Sequence, residues 1–160
     1  MNKIDPEKEK QRIEFHVNSI YNIFIKNQSM GMCLYSSVLL YERLQFDMID
    51  AVLVKGYLYS THDPDIWFPH VWVESKRVVY DISMMVLKHF WNDPSIRFYH
   101  YHYYDEVSGD KYEIMTDPMI DYGYQLYNKN PFAFWSEFDA NDRTDVKAVI
   151  NEIRDYFLNF

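Results

Sequence analysis

Apolar residues recur at helical spacing early in the chain. Ile13, Val17, Ile20, Tyr21 and Phe24 fall on one stripe, and Asp5 before Pro6 is a start signal, since Asp caps free amides and proline fits the first turn. The pattern predicts a helix from Pro6 to about Lys26-Asn27. After a connection from Gln28 to Met32, a second helix opens at Cys33, with Leu34, Val38 and Tyr41 on one stripe and Ser36, Ser37 and Leu40 beside it, and ends near Gln45. Ala51 to Tyr57 is a short apolar run bounded by Asp50 and reads as a buried strand, whereas Ser60 to Pro69 reads as a loop. The segments His70 to Glu74 and Arg77 to Asp81 then form a hairpin with its turn near Ser75-Lys76.

The second half carries weaker signals. Ser83 to Trp91 reads as a short helix, and Arg97 to Val107 and Lys111 to Met115 as two strands joined through Ser108-Gly109-Asp110. They are expected to extend the sheet with antiparallel strands, because an open edge and face call for cover. Thr116 to Asn141 reads mostly as loop. Asp142 then caps a terminal helix whose Val146, Val149, Ile150, Ile153 and Phe157 form an apolar stripe. With no repeat, linker or low-complexity segment, residues 1–160 read as one α+β domain: N-terminal helices packed on an antiparallel sheet, with a C-terminal helix.

Composition narrows the function classes. An apolar fraction of 48% with 15 Tyr and 11 Phe is that of a folded domain. A net charge of −8 repels a phosphate backbone, and no Lys/Arg run is present, so nucleic acid is not an expected partner. The N-terminal residues are charged and lack a signal-peptide core, and no apolar stretch is long enough to span a bilayer. The expectation is a cytoplasmic protein without membrane insertion. A single cysteine excludes an internal disulfide and a multi-cysteine zinc site.

That cysteine is where the chemistry points. Cys33 opens a helix, and His70 and Asp81 follow on one hairpin, an order that fits acyl transfer: a thiol attacks as thiolate, and a helix N-terminus and an imidazole both favour that form. A two-residue turn at Ser75-Lys76 sets His70 directly opposite Asp81, with Cβ atoms about 4.5–5.5 Å apart. A turn at Lys76-Arg77 leaves them diagonal on one face, and a three-residue turn separates them. Ser75-Lys76 lacks the Gly or Asn that tight hairpins favour. In this scheme Asp81 orients His70, His70 serves Cys33 as base and acid, and the Cys33 amide donates to the oxyanion, with Gln28 or Asn27 as a second donor.

Gly31-Met32-Cys33 opening a helix, a strand ending Val54-Lys55-Gly56-Tyr57, then His70-Val71-Trp72-Val73-Glu74 and Val79-Tyr80-Asp81, resembles the core of the transglutaminase-like superfamily of papain-fold proteins. The likeness spans about residues 29 to 83. It implies a papain/transglutaminase-like core and a triad of Cys33 as nucleophile, His70 as base and acid and Asp81 as orienting carboxylate, with Trp72 as packing beside the site. It also implies a protein or peptide substrate and no cofactor or metal. Family members include transglutaminases, cysteine peptidases, peptide amidases and inactive relatives, so a non-catalytic interaction module on the same fold is the alternative. A third reading, His100 and His102 binding a metal with His62 or Asp63, lacks a ligand fixed by spacing, and an aromatic sheet face with polar tips accounts for those residues. His16 and His89 fall within helical patterns and need no special role.

Overall fold

The computed structural model describes residues 5–30, 32–60, 63–91, 99–103, 111–141 and 144–159. The chain runs α1 (Pro6–Lys26), α2 (Cys33–Phe46), β1 (Val52–Ser60), β2 (Asp63–Ser75), β3 (Val78–Tyr80), α3 (Ile82–Phe90), β4 (Tyr99–Tyr103), β5 (Glu113–Ile114), α4 (Pro118–Lys129), α5 (Pro131–Ala140) and α6 (Thr144–Leu158), an α+β arrangement. Strands β3, β2, β1 and β4 lie side by side in that order, each antiparallel to its neighbour, and β5 pairs in parallel with β2 at Ile66 and Trp67.

The helical layer forms where the stripes require it. Asp5 accepts from the Glu7 amide and caps α1, and Ile13, Val17, Ile20 and Phe24 meet Leu39, Leu40 and Leu44 of α2, Ile82 and Val86 of α3, Val73 of β2, and Val149, Ile150 and Ile153 of α6 in one core. A second cluster joins Leu34 and Val38 of α2 and Val71 of β2 to Tyr127 of α4 and Phe134 of α5. Gly123 of α4 lies against Leu34, where a Cβ would stand 2.5 Å from a leucine methyl. The Lys55–Asp121 ion pair and the bond from Tyr124 OH to the Leu53 carbonyl (3.1 Å) fasten α4 to β1. His16 is structural: its Nε2 lies 2.7 Å from Asp47 Oδ2, and burial holds its pKa below the usual imidazole value.

Four sequence expectations give way. Residues 63–69, read as loop, are the first half of β2. Pro64 and Pro69 argue locally against a strand, but pairing with β1 carries through, and Pro69 falls between the β5 and β3 contacts, where the other edge of β2 has no strand among the described residues. The hairpin turns at Lys76-Arg77, not Ser75-Lys76. Ser75 faces Val78, and the turn residues have φ of 50° and 67°, the positive pair that a two-residue hairpin needs. An ion pair from Lys76 to Glu9 of α1 (2.8 Å) holds this turn, whose left-handed residues cost about 1–2 kcal/mol each. Residues 99–103 and 113–114 do not face each other as a hairpin: β4 extends the sheet beside β1 and β5 lies parallel to β2.

Residues 118–140, read as loop, are two helices. Asp117-Pro118 and Asn130-Pro131 repeat the Asp5-Pro6 start signal, each cap side chain accepting amides of the first turn. The terminal stripe is borne out, with Val149, Ile150 and Ile153 fully buried, while the Asp142 cap lies outside the described residues. Among the described residues no helix is long and apolar enough to cross a membrane.

Candidate active site

Cys33 is the first residue of α2, and Met32 before it contributes no side-chain cap. The first intrahelical bond runs from the Ser36 amide to the Met32 carbonyl (2.9 Å), so the Cys33 and Leu34 amides have no acceptor within the helix. One turn further on, Ser37 Oγ donates to the Val71 carbonyl (2.9 Å), on the stretch of β2 that, among the described residues, no other strand borders on that side. Helix α2 docks there, and Cys33 thereby lies close enough to the His70 imidazole to help raise its pKa.

His70 pairs with Gly56 of β1, and Gly56 pairs on its other side with Tyr103 of β4. A Cβ at Gly56 would stand 2.5 Å from the Trp72 ring and collide with the His102 carbonyl oxygen. The missing side chain leaves room for the Trp72 ring, which meets Tyr101 edge-on at 5.2 Å and is stacked 6.4 Å from the His70 ring. Trp72 Nε1 donates to Glu74 (2.8 Å), and its ring is fully buried. Here the expected packing role of Trp72 is met.

The turn at Lys76-Arg77 makes His70 and Asp81 diagonal rather than opposite, and they remain on one face. Asp81 ends the hairpin and caps α3, its Oδ1 accepting from the Met84 amide (3.0 Å). Its Oδ2 accepts from His70 Nε2 at 2.7 Å and from Tyr101 OH at 2.8 Å. With Nε2 so engaged, Nδ1 is the nitrogen left for Cys33. Burial alone lowers the His70 pKa, but the Asp81 carboxylate, helped by Cys33, outweighs it and pushes the value up to about 10. The imidazole therefore stays protonated at neutral pH. Burial and the same carboxylate raise the Tyr101 phenol well above its ordinary value.

Comparison of this chain with protein-family models, with curated proteins and with solved structures finds no match. What the arrangement can do is therefore read from its own atoms: a thiol at a helix N-terminus, a protonated imidazole against it, and a carboxylate behind the imidazole.

The remaining sequence candidates are placed as follows. Gln28 sits exposed on the connection before α2, with φ 52° and its amide donating to the Ile25 carbonyl (3.1 Å). The Asn27 side chain is committed elsewhere, donating to Ile23 O (2.8 Å) and Glu152 Oε2 (3.0 Å). His102 lies among aromatic rings, 4.6 Å from Trp67 and 5.3 Å from Tyr59, while His62 and the His100 side chain lie outside the described residues. Among the described residues no cluster of three metal-ligating side chains occurs. Sequence reasoning missed Tyr101. Its signal was the alternation Tyr99-His100-Tyr101-His102-Tyr103, which places tyrosine hydroxyls on one face, Tyr101 on Asp81 and Tyr103 on Glu74.

Proposed function

We propose that Cys33, His70 and Asp81 form a cysteine-dependent acyl-transfer site on a transglutaminase-like, papain-type core, acting on an amide or ester carbonyl of a protein or peptide. The observation that carries this reading is the imidazole of His70, bonded to Asp81 through Nε2 and close enough to Cys33 for the thiol to help raise its pKa. A protonated imidazole beside a helix N-terminus is the setting in which thiols react as thiolates. Sγ attacks the carbonyl carbon, and the oxygen that gains charge meets the Cys33 amide. His70 gives its proton to the leaving amine or alkoxide as the carbon–heteroatom bond breaks, which leaves a thioester and a neutral imidazole. Water or an amine then attacks the thioester, its proton passing to His70 and Sγ leaving as thiolate. Asp81 holds the imidazole in orientation throughout.

Burial favours a second reading. Cys33 and His70 are each only 7% exposed, as they would be in an interaction module on the same fold that has lost turnover. Iodoacetamide kinetics separate the two. If the site is catalytic, Cys33 is alkylated at pH 7 faster than an ordinary thiol, and His70→Ala slows it to the rate of an ordinary thiol. Labelling of the parent no faster than that of an ordinary thiol would identify Cys33 as a structural thiol and leave the interaction module.

A further inference from the structure

Asp81 has two duties that pull on one side chain. It caps α3 through Oδ1 and holds His70 through Oδ2, although the hairpin places it diagonally across from that histidine. These two duties give each carboxylate oxygen one partner. Tyr101 supplies the third contact from β4, a separate strand. The tyrosine is itself an arm held at both ends: its ring is clamped against Trp72, whose place depends on the bare Gly56, and its ring packs with Leu58 and Met84.

We propose that Tyr101 is a positioning residue of the Cys33–His70–Asp81 site, its hydroxyl fixing the Asp81 carboxylate so that His70 Nε2 is held and Nδ1 faces the thiol. The inference rests on the acyl-transfer reading for its catalytic consequence but not for its effect on His70. Among the described residues, the titratable groups that face the imidazole are Asp81 from the start of α3, Cys33 from α2 and Tyr101 from β4. Lys88 lines the recess of about 240 Å³ beside Asp81 and Tyr101.

Tyr101→Phe removes one oxygen and keeps the ring. Two consequences of the lost bond have opposite sign, which makes the test sharp. If the hydroxyl only draws charge from the carboxylate, its removal leaves a more basic Asp81 and raises the His70 pKa. If it positions the carboxylate, its removal loosens the His70–Asp81 bond and lowers that pKa. The experiment is an NMR titration of the His70 ring nitrogens in the parent and in Tyr101→Phe, with thermal unfolding of both as a control for folding. The expected result is an ordered variant in which His70 titrates at clearly lower pH and Cys33 alkylation at pH 7 falls about tenfold. An unchanged or raised His70 titration would overturn the inference. If the titration moves as expected while alkylation of the parent is indifferent to His70→Ala, Tyr101 positions His70 as proposed and it is the acyl-transfer reading that fails. A variant that does not fold is replaced by Trp72→Phe, which keeps a ring but leaves Tyr101 less firmly clamped. The same downward shift is then expected, and its absence counts against the inference.

Discussion

Asp81→Asn is expected to reduce turnover by on the order of 10³–10⁴-fold in a chain that still folds, because an amide neither stabilises the imidazolium nor fixes its tautomer. The Asn side chain retains an oxygen for the Met84 amide, so the α3 cap survives while the contacts of His70 and Tyr101 to a charged oxygen are lost. Stability should fall by about 1.5–3 kcal/mol, the worth of a hydrogen bond to a charged group. The loss has a pH signature. The His70 pKa in the folded protein, about 10, lies above its ordinary value of 6.5, so the stability it contributes is complete below pH 6.5 and disappears as the pH rises through 10. Urea unfolding of parent and variant at pH 6, 8 and 10 should show the gap between them closing. A gap that is constant with pH, or a variant as reactive as the parent, would remove Asp81 from the site.

Deleting residues 144–160 is expected to unfold the protein. Val149, Ile150 and Ile153 are at most 3% exposed and belong to the same core as α1, α2 and α3. Burial of each contributes roughly 1.5–3 kcal/mol, and the sum is comparable with the 5–15 kcal/mol by which a whole domain is stable. The shortened chain should lose its cooperative melting transition and the selective reactivity of Cys33. A soluble truncated form that melts cooperatively would show α6 to be an accessory.

The grouping of His70 with Asp81 was more legible than the scaffold around it. Cys33, His70 and Asp81 could be placed on elements because each lies on one with a strong local signature: a helix start, a valine-rich strand and a strand end. The meeting of His70 and Asp81 required only a facing rule, and that rule survived a turn displaced by one residue, since Lys76-Arg77 shifts the pair to a diagonal without changing faces. Tyr101 could not be read in this way, because its role depends on β4 lying beside β1 rather than anywhere in its own sequence. Residues 63–69 were misread because prolines and aspartates speak locally for a loop, while the partner strand that holds them extended lies elsewhere in the chain. Helices α4 and α5 are a different failure. Their Asp-Pro and Asn-Pro starts were in plain view, but aromatic residues of modest helix preference obscured the stripe between them.

The unequal anchoring of His70 and Asp81 has a consequence in time. His70 lies in a strand of 13 residues bonded to β1 along most of its length, whereas Asp81 hangs from a three-residue strand reached through a turn with two left-handed residues. Openings confined to β3 are cheap and those that reach β2 approach global unfolding. Amide hydrogens at 78–80 should therefore exchange with solvent well before those at 70–73, a difference that exchange mass spectrometry can read. On gentle warming the carboxylate swings away first, and an intact imidazole stands beside the thiol without its counter-charge. Inactivation should then precede melting, with Cys33 turning sluggish in a molecule that is still almost entirely folded.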